Sequence, residues 1–98
     1  MDIAKTIYAQ LKQLGGMKFW CWGATNFVGS EEERSLSFKV DGMKFKGYVT
    51  IVLNYMDTYD ITFTNKKGDE VKEVNNVYFD GMVDVIDNYV EKIDAYAW

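Results

Sequence analysis

Ser35-Leu36-Ser37-Phe38-Lys39-Val40-Asp41-Gly42, with the run that follows it, Met43-Lys44-Phe45-Lys46-Gly47-Tyr48-Val49-Thr50-Ile51-Val52-Leu53, decides the fold. Leu36, Phe38 and Val40 alternate with Ser35, Ser37 and Lys39, the period of two that a half-buried strand requires. Asp41-Gly42 is turn chemistry that supplies positive φ, so a tight hairpin is expected there. Beyond it Met43, Phe45, Val49, Ile51 and Leu53 share one parity, with Gly47 as the gap, while Lys44, Lys46, Tyr48, Thr50 and Val52 face the other way. Asn54-Tyr55-Met56-Asp57 turns the chain again. Tyr59, Ile61 and Phe63 then alternate with Thr58, Asp60, Thr62 and Thr64, and Asn65-Lys66-Lys67-Gly68-Asp69 ends the strand. Strands that each have one apolar parity form an antiparallel sheet with one covered side.

The flanking segments supply the cover. Ile3, Ile7, Leu11 and Leu14 stack on one face of a helix over residues 2–14, with Asp2 as N-cap and Gly15-Gly16 as the stop. From Val77 to Ala95 the pattern is helical again. One apolar row is Tyr78, Met82, Val85 and Tyr89; the other is Phe79, Val83, Ile86, Val90 and Ile93. Residues 17–22, MKFWCW, read as a strand with Met17, Phe19 and Cys21 on one face and Lys18, Trp20 and Trp22 on the other. Residues 23–34 read as an irregular loop that Phe27 anchors to the core. Residues 70–76 fit either a short edge strand or an early helical turn, with Asn75-Asn76 as N-cap side chains. The expectation is an α+β fold in a single domain, residues 1–98. It is two-layered: an N-terminal helix, a three- to four-stranded antiparallel meander and a C-terminal helix, with both helices on one sheet face.

Composition narrows the chemistry. With 48% hydrophobic and 16% aromatic residues in 98, the chain has enough apolar surface for one core. It contains no His, which argues against the Ser–His and Cys–His nucleophile systems and removes the commonest metal ligand. Its single cysteine, Cys21, cannot form an internal disulfide and reads as a small buried hydrophobe. No cofactor or metal is expected, and the chain is expected not to be an enzyme. The first ten residues, MDIAKTIYAQ, lack the basic leader and apolar core of a secretory signal, and no apolar run reaches membrane-spanning length. A reducing, cytoplasmic setting is therefore expected.

The net charge of −4 is uneven. Residues 1–50 hold seven bases and five acids, whereas residues 51–98 hold four bases and ten acids. Asp80, Asp84, Asp87, Glu91 and Asp94 are spaced four, three, four and three, one face of the last helix. Like charges at these spacings cost a helix about 0.2–0.5 kcal/mol per pair. The stripe is either a solvated face that keeps the protein soluble or a phosphate-like rail that docks on a basic surface. The acidic sign argues against direct nucleic-acid binding, and no membrane partner is expected. A second candidate interface is aromatic: Trp20 and Trp22 on the sheet face shared with Tyr48 and Val52, unless the two indoles point inward. Asp57 and Asp60 flank a turn, but nothing around them reads as a catalytic cleft.

Two stretches, Leu14-Gly15-Gly16-Met17-Lys18-Phe19 continuing to Gly23-Ala24-Thr25-Asn26-Phe27, and Leu53-Asn54-Tyr55-Met56-Asp57-Thr58-Tyr59-Asp60, carry a resemblance. They resemble small proteins encoded by bacteriophages and prophages, as does Lys72-Glu73-Val74-Asn75-Asn76-Val77-Tyr78. Trp20-Cys21-Trp22 departs from that pattern, which has smaller residues there. The resemblance supplies no activity and transfers no functional residue. It implies a mobile-element setting in the cytoplasm of a bacterial host, where small proteins often inhibit host machinery. The expected function is a non-enzymatic binding protein, an inhibitor of a host defence or nucleic-acid-handling protein, docking its acidic helix face on a basic surface. The alternative is an interaction module that homodimerises through the aromatic sheet face.

Overall fold

The computed structural model describes residues 3–16, 19, 21–42 and 44–90. Helix α1 spans Ile3–Gly15, strands β1 to β5 span Thr25–Ser30, Ser35–Asp41, Lys46–Leu53, Tyr59–Asn65 and Glu70–Val77, and helix α2 spans Met82–Val90. The strands form one antiparallel sheet in the order β1-β2-β3-β4-β5. The expected α+β architecture holds, with five strands where three to four were expected.

Alternation located the centre of this sheet because both faces of β2, β3 and β4 differ in burial. Leu36, Phe38, Val40, Val49, Ile51, Ile61 and Phe63 are buried in one cluster with Ile7 and Leu11 of α1 and Met82, Val83, Ile86 and Val90 of α2. Burial of this kind stabilises by about 25 cal/mol per Å² of apolar surface removed from water. The opposite parity carries Ser37, Lys39, Tyr48, Thr50, Thr62 and Thr64, none of them buried, with Ser37 and Thr50 hydroxyls 3.0 Å apart across the strands. Gly47 is buried because no side chain fits there. A Cβ would overlap the Thr64 carbonyl oxygen and come within 2.9 Å of the Phe45 ring. That vacancy lets Phe45 fold against Phe63 and Tyr89.

Both edge strands are bulged, which is why the sequence disguises them. In β1, Thr25 pairs with Lys39 but Val28 with Ser37, so two residues, Asn26 and Phe27, oppose one. In β5, Val77 pairs with Tyr59 but Val74 with Ile61, so Asn75 and Asn76 oppose Asp60 alone. Asn26 and Asn76 take φ of 56° and 59°, the left-handed region that asparagine tolerates best after glycine. A bulge shifts parity by one, so the alternation expected of a strand is broken at its middle. Residues 25–30, expected as loop, are therefore strand; the edge-strand reading of residues 70–76 is the one that holds, and Asn75 and Asn76 are bulge residues rather than helix caps.

Further expectations are corrected. Phe19 and Cys21 are helical, not strand. Phe19 and Trp22, three apart, share a helical face, are both buried, and meet edge to face at 5.9 Å, while Cys21 is exposed rather than buried. A six-residue, mostly apolar run between glycines carries no period long enough to tell a helical turn from a strand. In α1, Leu14 is exposed, and Gly15 takes the packing position, where a Cβ would lie 3.2 Å from Phe19 Cβ. Gly16, at φ 52°, closes the helix with its N–H on the Lys12 carbonyl. Helix α2 begins at Met82 rather than Val77, because Gly81 turns the chain back with its N–H on the Tyr78 carbonyl. At Asp41-Gly42 the expected two-residue hairpin is a four-residue link, closed by the Gly42 N–H on the Phe45 carbonyl. This link docks on α2: Lys44 and Phe45 N–H groups share the Val90 carbonyl, and Lys44 Nζ donates to the Asn88 carbonyl at 2.8 Å.

Candidate functional site

Three connections converge at one end of the sheet: the turn 31–34 after β1, the loop 54–58 between β3 and β4, and the link 78–81 between β5 and α2. Pairing of Leu53 with Tyr59 and of Tyr59 with Val77 sets the second and third side by side. The Leu53 N–H on the Arg34 carbonyl, 2.9 Å, ties in the first.

Asn54 organises the loop. Its Oδ1 accepts from the N–H groups of Met56 (2.9 Å) and Thr58 (3.2 Å), standing in for a backbone carbonyl and reversing the chain within a few residues. Its Nδ2 faces Thr58 Oγ1, Asp60 Oδ1 and Asn76 Oδ1 at 2.8, 3.1 and 3.2 Å. Asp60 Oδ1 also accepts the N–H of Asn76 at 3.1 Å, satisfying backbone that the bulge removes from the ladder. The β3–β4 loop and the β5 bulge are thus pinned together by four side chains, Asn54, Thr58, Asp60 and Asn76. Such a network holds a surface in one shape.

Large apolar side chains point out from that rigid base. Tyr55, Met56, Tyr78 and Phe79 are 92%, 69%, 70% and 53% exposed. Exposed apolar groups clustered on adjacent turns are informative where scattered ones are not. The same three connections carry carboxylates: Glu31, Glu32, Glu33, Asp57 and Asp80 are all exposed. Across these three connections Arg34 is the one base, and its guanidinium carbon lies 5.2 Å from the centroid of the Tyr55 ring. Arg34 has φ 56°. Among the described residues the other non-glycine positions with positive φ are Asn26, Asp57 and Asn76, types that tolerate it; an arginine there costs about 1–2 kcal/mol.

The acidic stripe is rearranged by the fold. Asp80 is exposed but precedes α2; Asp84 is exposed in its first turn, where a negative charge suits the helix dipole. Asp87 turns inward, accepting the indole N–H of Trp22 at 3.1 Å, so it serves the core as well as the surface. Glu91 and Asp94 lie outside the described residues, as do Trp20 and the expected cap Asp2. The aromatic sheet face is corrected: Trp22 is fully buried beside Phe19 and cannot reach a partner, leaving Tyr48, half-exposed, on the open face. The inward orientation of that indole, the other expectation for it, is the observed one.

Sequence reasoning missed Tyr55, Met56, Tyr78 and Phe79 as surface residues. Tyr78 and Phe79 fit the helical rows of α2, and only the Asp80-Gly81 pair, a helix breaker, signals that they stand outside it. Of the two acids flanking the turn, Asp60 is engaged by Asn54 and Asn76, while Asp57 stands exposed at the loop tip. A groove of about 440 Å³ between α1 and the β1–β2 edge is lined chiefly by Ala4, Tyr8, Phe27 and Leu36 and reaches Glu31 of the turn 31–34. Among the described residues no helix is long and apolar enough to cross a membrane, and no group of three or more acidic or thiol side chains is placed to hold a metal. Comparison of the chain with family models, curated proteins and solved structures gave no match.

Proposed function

We propose that this is a non-enzymatic binding protein whose partner is a protein with a basic surface, and that it docks through the end of the sheet formed by the connections 31–34, 54–58 and 78–81. The observation that carries this is the set of exposed Tyr55, Met56, Tyr78 and Phe79, held on a hydrogen-bonded base, with exposed Glu31, Glu32, Glu33, Asp57 and Asp80 on the same connections. Aromatic centres with a charged rim are the usual make-up of a protein interface, the aromatics supplying affinity and the charges the on-rate and partner choice. Asp84 extends the acidic field along α2. In the phage setting that the sequence resemblance implies, the partner is a host defence or nucleic-acid-handling protein, whose phosphate-binding channel supplies the basic surface, and the protein is its inhibitor.

The homodimer reading has lost the buried Trp22 and rests on Tyr48 alone among the described aromatics of that face. The deciding experiment compares capture from the bacterial host by wild-type protein, by Tyr55→Ser/Phe79→Ser, and by Glu32→Lys/Asp80→Lys. Partners with basic surfaces retained by wild type and lost by both folded variants support the proposal. Equal retention by all three refutes it.

A further inference from the structure

We infer that this end of the sheet recognises guanidinium groups rather than positive charge in general, and that Arg34 is its internal occupant, displaced when an arginine of the partner arrives. The inference rests on the docking function proposed above and specifies the partner chemistry. Three observations carry it. The Arg34 guanidinium already sits over the Tyr55 ring at 5.2 Å, so the surface holds a planar cation against an aromatic face. Arg34 does so from a left-handed backbone conformation at φ 56°, where glycine or asparagine is the low-strain choice. Strain of this sort persists where a side chain has a task. Further rings, Tyr78 and Phe79, stand exposed on the adjacent connection with the Asp80 carboxylate next in the chain. A partner's guanidinium therefore meets exposed rings on an acidic surface, a combination that suits arginine's flat, weakly hydrated group better than lysine's ammonium.

The arrangement also sets how the occupant responds. Arg34 is tethered by the turn 31–34, so a partner's arginine competes with it for the Tyr55 ring and gains what Arg34 gives up. Exposed cation–π contacts are modest, which makes exchange easy and the effect of removing the tethered competitor a few-fold.

The test is a titration of the full-length, ¹⁵N-labelled chain with two hexapeptides of equal charge, one arginine-based and one lysine-based, followed by chemical shift at Tyr55, Met56, Tyr78 and Phe79. The arginine peptide is expected to bind about five-fold or more tightly than the lysine peptide. Arg34→Gly, which also relieves the backbone, should tighten arginine-peptide binding about two- to five-fold. Tyr55→Leu should narrow the preference between peptides. Equal binding of both peptides at these residues overturns the guanidinium inference and leaves charge-driven docking standing. An arginine preference unchanged by Arg34→Gly overturns the internal-occupant claim. Shifts from neither peptide at this end overturn the inference and the docking surface together.

Discussion

Replacing Asp87 by Ala removes the acceptor of the Trp22 indole N–H, a bond of 3.1 Å spanning 65 residues of sequence. Trp22 is fully buried, so its donor is stranded; that costs about 1–3 kcal/mol, and the half-buried position of Asp87, which lets water approach, sets the expectation at about 1–2 kcal/mol. The raw loss in Asp87→Ala is smaller. Alanine is the better helix former by up to about 0.7 kcal/mol, and removing repulsion with Asp84 three residues earlier returns about 0.2–0.5 kcal/mol. A double-mutant cycle with Trp22→Phe separates these effects. Phenylalanine has no donor, while the propensity and repulsion changes recur in both backgrounds and cancel. Urea denaturation of the four proteins, with m constant, should give a coupling of about 1–2 kcal/mol. The indole ¹H–¹⁵N signal of Trp22 should also move, and its exchange quicken, in Asp87→Ala alone. A coupling below about 0.5 kcal/mol refutes the reasoning, since that is the scatter of independent sites, and the Trp22 indole would then owe nothing to Asp87.

Gly47→Ala should cost about 3 kcal/mol or more, because the new Cβ meets the Thr64 carbonyl across the ladder and that oxygen cannot retreat without breaking strand pairing; a loss under about 1 kcal/mol in chemical denaturation would count against the register described. Gly29→Ala places a Cβ 2.5 Å from Ala4 Cβ, pushing α1 off β1, and should cost about 1–3 kcal/mol. Ala4→Gly in the same chain should recover part of that loss, and strictly additive losses would show that the two positions do not touch. Burial raises the pKa of the Tyr59 phenol, against a smaller opposing effect from the Gln10 amide, which can turn its NH₂ toward a phenolate. Its folded pKa therefore lies above its unfolded value, so the stability it contributes is complete below about pH 10 and is lost as pH rises through the folded value. Tyrosinate absorbance should show a late ionisation above the ordinary phenol range; Tyr59→Phe should delete that step and flatten the alkaline loss.

The legible parts of the fold were those in which one strand or helix separates a dry face from a wet one. Leu36, Phe38 and Val40 alternate because β2 is central and lies under the helices, and Ile7 and Leu11 repeat at four because α1 has a single buried stripe. The edges were illegible for the converse reason: β1 is exposed along most of its length and bulged at Asn26, so its sequence records neither burial nor parity. Phe19 and Trp22 fit strand and helical turn equally until their common burial is seen. The site was half legible. The acids were visible as a stripe, but the stripe is cut at Gly81 and turned inward at Asp87, and the aromatics that matter stand on turns rather than on the sheet face.

By itself, then, the amino-acid sequence determined the α+β class, the central meander, the helix before it and the excess of acid, because each is a matter of local period or simple count. Tertiary structure alone decided which acid serves the core, which tryptophan is hidden and which three connections meet. Those depend on contacts between residues far apart in the chain, such as Trp22 with Asp87 or Asn54 with Asn76, and no local period encodes a partner that distant.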